Sequence, residues 1–178
     1  MKAIALTAIL WFAFFGVLNA QWQDDFSDGD FTVNPSWLGN ADVYSVVNNV
    51  LKLNNTVPST NNTSALYTSS PICSATNMEW RFLIDHNFDG SATNQSRVYI
   101  MSDAPALTYS GTVSAGVEGY FLLFGEALSG DVIRFYYDNG TSVNLLASGV
   151  TSLVDGFQAS VRVTKNELAN WLIEADFT

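Results

Sequence analysis

The chain has one cysteine, one histidine, and seven lysines and arginines against 17 acidic residues. A single cysteine cannot staple its own chain, so the hydrophobic core must hold the fold. Cys73 reads as a small buried apolar residue. Its alternatives are a nucleophile, for which no cysteine-protease signature surrounds it, or the partner of a cysteine in a longer polypeptide. One histidine excludes a His-rich metal site. A Ser–His–Asp triad would need His86 beside a positioned nucleophile, and no Gly-x-Ser-x-Gly elbow accompanies it. His86 therefore reads as a loop or strand-edge residue in Asp85-His86-Asn87-Phe88-Asp89-Gly90. The shortage of cations leaves a formal charge of −10. That field repels a phosphate backbone or an anionic membrane surface, so neither nucleic acid nor lipid is an expected partner. After the first twenty residues there is no second apolar run of spanning length and no capped 3.6-residue stripe. There is also no internal repeat and no low-complexity linker.

What is present begins at the N-terminus. In MKAIALTAILWFAFFGVLNA, Lys2 supplies a positive start and Ile4 to Phe15 an apolar run with one hydroxyl, Thr7. Gly16 to Ala20 close it with small, turn-prone residues, which is the layout of a secretory signal peptide. The run is shorter than the roughly 20 residues a spanning helix needs. Residues 1–20 are thus predicted to be a signal helix cleaved after Ala20, although Leu18 is larger than usual at its place. An uncleaved anchor is the alternative. The mature chain then starts near Gln21, is secreted or held at the cell surface, and makes no stable membrane insertion.

Period-two alternation dominates the remainder. Met78, Trp80, Phe82 and Ile84 alternate with Glu79, Arg81 and Asp85. Val98 and Ile100 lie opposite Arg97 and Tyr99, and Ile133, Phe135 and Tyr137 opposite Arg134 and Tyr136. Ala159, Val161 and Val163 form another such set, as do Trp171, Ile173, Ala175 and Phe177. Tyr120 to Phe124 is apolar on both faces, as a central strand would be; Val50–Leu53 and Ala65–Tyr67 are shorter candidates. Asp138-Asn139-Gly140, Ser129-Gly130-Asp131 and Asp89-Gly90-Ser91 are turn signals. Eight or nine strands joined this way predict an all-β fold, an antiparallel β-sandwich spanning residues 21–178. The pattern stops mid-strand at Thr178, so the domain is expected to lack its last strands. Asn54, Asn61, Asn62, Asn94 and Asn139 each begin an Asn-x-Ser/Thr triplet, a glycan acceptor in a eukaryote and plain turn chemistry in a bacterium.

Two constellations can carry a ligand. Asp24, Asp25, Asp28 and Asp30 place four carboxylates within seven residues, a candidate for structural Ca²⁺, which takes six to eight oxygens. The pattern is not an EF-hand loop, and a solvated acidic turn is the simpler reading. The second is aromatic: Trp22, Trp37, Tyr99, Tyr109, Tyr136 and Trp171. Sugar-binding sandwiches stack rings on pyranose faces and bind hydroxyls with Asn, Asp and Arg. Tyr99 and Tyr136 share strand faces with Arg97 and Arg134, and these four are the predicted ligand-binding residues. The competing reading packs those faces against other strands. Trp80 and Trp171 read as core.

The opening QWQDDFSDGDFTVNPSW resembles the start of concanavalin A-like, laminin-G-like jelly-roll domains, common at the N-termini of large secreted Bacteroidetes proteins, some with lamin-tail domains and sorting signals. EGYFLLFGEALSGDVIRFYYDNG looks like their paired core strands and ASVRVTKNELANWLIEAD like their late hairpin; the resemblance spans residues 22–178. It implies a jelly roll that continues for further strands, which would leave an open sheet edge here. It also implies a structural Ca²⁺ between the N-terminal segment and the last strand, to which Asp176 would contribute. The glycosidase branch of that fold carries a Glu-x-Asp-x-x-Glu strand, which this chain lacks. Its one acidic pair two residues apart on a strand is Glu174 with Asp176, although glycoside cleavage needs two carboxylates across the sugar. No catalytic residue is therefore assigned. The expectation is a non-catalytic carbohydrate-binding or cell-adhesion module, with a glycan or cell-surface polysaccharide and further domains of the same polypeptide as partners. A structural spacer is the alternative, and a glycoside hydrolase or lyase the third reading.

Overall fold

The computed structural model describes residues 22–55, 63–70, 76–88, 90–91, 94–105, 116–125, 131–153 and 156–178. The predicted signal segment, Cys73, Tyr109, Asn61 and Asn62 lie outside them. Among the described residues no helix is long and apolar enough to cross a membrane. The fold is all-β with antiparallel pairing, as the alternation predicts.

Two short hairpin-like pairs come first. β1 (Leu38–Gly39) pairs with β4 (Leu66–Tyr67), and β2 (Tyr44–Val47) with β3 (Val50–Leu53). A 3-10 turn, Ala41–Val43, leads into β2. Asn48 and Asn49 join β2 to β3 with φ of 53° and 61°, the left-handed pair that a tight two-residue hairpin requires.

Two larger sheets follow. β6 (Ser96–Ser102), β7 (Glu118–Phe124), β8 (Arg134–Asn139) and β9 (Val143–Ser148) form a meander in sequence order. The other sheet runs β11–β10–β5, with β10 (Phe157–Lys165) at its centre, β5 (Met78–His86) on one side and β11 (Trp171–Phe177) on the other. Their inner faces share one core. Ile100, Leu122, Phe124 and Phe135 come from the meander, and Ala159, Val161 and Val163 from β10, with Trp80, Phe82, Ile84, Ile173 and Phe177 packed against them. Rings bridge the sheets: Tyr120 and Phe135 lie 4.8 and 5.1 Å from Trp171, and Phe124 lies 6.3 Å from Phe82. This is a β-sandwich, with residues alternating in and out along each strand.

Period two fails at two bulges. Ile100 is the extra residue of β6 opposite β7, where it enters the core, and Leu146 the extra residue of β9 opposite β8. Next to the first bulge the chains approach closely: a side chain on Gly119 would place its first carbon 2.5 Å from the Met101 carbonyl oxygen. The outer face of the three-stranded sheet carries a charge ladder. Arg162 donates to Glu79 (2.8 Å) and to Glu174 (2.8 Å), spanning β5, β10 and β11, and Arg81 adds a second donor to Glu79. Hydrogen bonds from Arg81 and then Arg162 hold the Glu79 carboxyl below its usual range.

Candidate functional site

The pleat sends every second residue of the meander away from the core, and register aligns those residues into rows. Tyr99 stands opposite Phe121, Phe121 opposite Tyr136, and Tyr136 opposite Leu145. The adjacent row is Arg97, Leu123, Arg134 and Ser148; the row on the other side contains Ser102, Gly119, Asp138 and Val143. All four predicted ligand-binding residues therefore lie on one sheet face, two in each of two neighbouring rows.

The rings of the central row touch. Tyr99 and Phe121 have centroids 4.9 Å apart, and Phe121 and Tyr136 are stacked at 5.2 Å with planes 14° apart. The Arg97 guanidinium lies 5.2 Å from the Phe121 ring centre, within cation–π range. Phe121 is 1% exposed and Leu123 5%, whereas Tyr99, Tyr136, Arg97 and Arg134 are half-buried. The row thus has a closed centre with tyrosine and arginine at its accessible flanks. At its end Asp138 is fully buried. Its carboxylate accepts the Tyr99 hydroxyl at 3.1 Å and the Gly140 N–H at 2.9 Å. One side chain so fixes both a ring of the row and the β8–β9 turn, where Gly140 has φ of 79°.

Sequence reasoning missed Phe121 and Asp138. A strand apolar on both faces does not declare which ring is the centre of an outward row. Asp138 sits in an Asp-Asn-Gly turn signal, where aspartate is ordinarily solvent-exposed.

The acidic residues of the N-terminal segment are turn-formers. Asp24 accepts the Phe26 N–H (2.9 Å) and the Trp37 indole N–H (2.8 Å), and Asp25 the Ser27 N–H (3.0 Å). Asp28 accepts the Asp30 N–H, and Asp30 the Thr32 N–H and hydroxyl. Hydrogen bonds from Ser27 and Thr32 hold the carboxyls of Asp25 and Asp30 below their ordinary value. Trp37 in turn packs edge-on against Trp22 at 5.6 Å. Asp176 lies exposed on β11 opposite Ser160. Among the described residues no three His, Cys, Asp or Glu side chains gather closely enough to share a metal ion. These oxygens bond N–H groups of their own segment, and Asp24 and Asp30 also hold the Trp37 indole and the Thr32 hydroxyl. Glu174, next to Asp176 on the outer face, is tied to Arg162.

His86 closes β5, an edge strand of its sheet, at the strand-edge position its sequence surroundings suggest. It is 4% exposed, between Phe88 (4.5 Å) and Phe157 (5.0 Å), with Nε2 2.5 Å from Ser96 Oγ. Its Nδ1 is buried without a hydrogen-bond partner. Burial pushes the imidazole pKa below its ordinary value, while Asp85 pulls weakly the other way. The unfolded chain then binds a proton more readily than the folded one, so stability is full above about pH 6.5 and falls as pH drops below it. The melting temperature is expected to fall between pH 7 and pH 5.5, above the range where carboxylates titrate. His86→Gln should flatten that slope, and equal slopes in both proteins would refute the assignment.

Fold and site together define an antiparallel β-sandwich with an aromatic row on the outer face of its four-stranded sheet. No family model matches the chain, and comparison with curated proteins and with solved structures finds no match.

Proposed function

We propose that residues 21–178 form a non-catalytic carbohydrate-binding or adhesion module of a larger exported protein, on a sandwich of the concanavalin A-like, laminin-G-like kind. The observation that carries this reading is the in-register row Tyr99–Phe121–Tyr136 with Arg97 against its central ring. Rings fixed by their neighbours lose little entropy when a sugar face stacks on them, and Arg97 and Arg134 supply donors for its hydroxyls. A glycan or cell-surface polysaccharide is the partner class that fits. Purified residues 21–178 are expected to bind one class of a polysaccharide panel saturably. Tyr136→Ala should weaken that binding at least tenfold, about 1.4 kcal/mol, and shift the melt by only a few degrees. A collapsed melt would make Tyr136 a structural ring instead.

A second reading, a spacer domain without a ligand, is favoured by one observation: Phe121, Leu123 and Asp138 on this same face are buried. A cooperatively folded domain that binds nothing in the panel would select it.

A further inference from the structure

Each of the two larger sheets ends in two edge strands, and three of these four edges carry charge: Glu79, Arg81 and Asp85 on β5, Glu174 and Asp176 on β11, and Arg97 on β6. β9 is the exception. No charged residue occurs between Asp138 and Asp155 in the sequence. Leu145 and Leu146 are 53% and 49% exposed, and among the described residues β9 pairs with β8 alone. Exposed strand edges are normally blunted with charge, because their unpaired N–H and C=O groups are a template for another strand. On β9 the blunting device is the bulge at Leu146.

The ladder to β8 shows which backbone groups are open. The Asn139 N–H donates to the Ser142 carbonyl (3.1 Å) at one end, and the Gly149 N–H to the Ile133 carbonyl (2.8 Å) at the other. Bonded and non-bonded residue pairs alternate along an antiparallel ladder. Counting from Asn139 and Ser142, Tyr137–Asn144 is a bonded pair, whereas Asp138–Val143 and Tyr136–Leu145 are not. The N–H and C=O of Val143 and of Leu145 therefore point away from β8, off the edge of the sheet. Both side chains stand on the outer face, in the rows of Asp138 and Tyr136.

We infer that β9 pairs antiparallel with β9 of a second copy of this chain, joining two four-stranded sheets into one of eight. In the pairing, Asn144 faces its symmetry mate and Val143 of each copy faces Leu145 of the other. This alignment uses every open group of both residues; one centred on Val143 or on Leu145 would use only half of them. It also sets each exposed Leu145 beside a valine, the kind of cross-strand apolar pair that stabilises sheets. A second copy suits the edge because the contact is self-complementary and uncharged. Two chains of net charge −10 repel, and at β9 they meet without like charges face to face. The bulge ends the pairing after Leu145, and charge on β5, β6 and β11 blunts the other edges, so assembly closes at two copies. The pairing needs no ligand and does not depend on the sugar reading.

Sedimentation velocity of residues 21–178 over a range of concentrations tests the inference. The expected result is a reversible monomer–dimer equilibrium. Leu145→Glu and Val143→Lys, each alone, place an unmatched charge in the contact and should raise the dissociation constant at least tenfold. In the double variant Val143→Lys/Leu145→Glu each new cation faces a new carboxylate across the interface, so dimerisation should return toward the wild-type value. The reciprocal pair, Val143→Glu and Leu145→Lys, serves if a variant of the first pair does not fold. A monomer at every concentration, a dimer indifferent to the single variants, or no recovery in the double variant would overturn the proposal.

Discussion

Phe124→Ala is expected to cost about 3–5 kcal/mol of folding stability, the largest loss of any single truncation considered for this chain. Phe124 is fully buried at the end of β7. Its ring meets Phe82 of β5 edge-on at 6.3 Å and stacks near Phe157 of β10 at 6.2 Å. It therefore joins the meander to two strands of the opposite sheet at once. Truncation removes the transfer energy of the ring and leaves a cavity that both sheets would have to move to close. With a typical total of about 5–15 kcal/mol, that is a large share. At about 2–4 °C per kcal/mol for a domain of this size, the melt should fall by roughly 6–20 °C. Urea unfolding monitored by tryptophan fluorescence measures it. Leu172→Ala, on an exposed residue of β11, is the control and should stay within about 0.5 kcal/mol. A loss below about 1 kcal/mol for Phe124→Ala would mean that the ring does not hold the sheets together.

Asp138→Ala is the second large effect, at about 2–4 kcal/mol, and its origin is polar. The substitution leaves the Gly140 N–H and the Tyr99 hydroxyl without the acceptor they share. Both donors are part-buried, and a buried donor left unmade costs about 1–3 kcal/mol. Asp138→Asn keeps an oxygen for Gly140 and should lose less than half as much. Tyr99→Phe removes one of the two stranded donors, so the double variant Tyr99→Phe/Asp138→Ala should be less damaging than the sum of its parts. Chemical denaturation of the four proteins gives the coupling directly. Strict additivity would show that Asp138 does not position Tyr99, and would detach the carboxylate from the aromatic row.

The residues explain which parts of this architecture were legible in advance. β5 and β10 announced themselves because one face is mostly polar or charged and the other mostly apolar, so period two stays visible along nine residues. The Asp138-Asn139-Gly140 turn was legible because Gly140 takes a positive φ, and Asn139 accepts the Thr141 and Ser142 N–H groups (3.0 and 2.8 Å). β9 was not legible. It is an edge strand whose residues are exposed or half-exposed, and the bulge at Leu146 breaks its alternation. β2 is only four residues, three half-buried and Val47 exposed, too short for Ser45 alone to set a period. Placing Arg97 and Tyr99 on one strand face, and Arg134 and Tyr136 on another, followed from spacing. That these faces adjoin across β7 depends on pairing register, which no single strand encodes. Which N–H groups the acidic run near the N-terminus bonds was not legible, because composition does not reveal which carboxylate caps which turn. The strand-edge position of His86 was legible, but its burial was not, because Phe157 comes from β10.

The pairing of β5 with β10 also orders events in time. Met78 meets Lys165 across 87 residues of chain, whereas β6, β7 and β8 each pair with their successor. At a synthesis rate of about 5–20 residues per second, Lys165 leaves the ribosome roughly 4–17 s after Met78. Hairpins close in about 1–10 μs, so the meander is complete within that interval while β5 has no strand to join. Throughout it Trp80, Phe82 and Ile84 belong to a strand whose own sheet, β5–β10–β11, has not been made. The period of greatest exposure to misassociation is therefore written into the topology, and it ends only when the β10–β11 hairpin arrives.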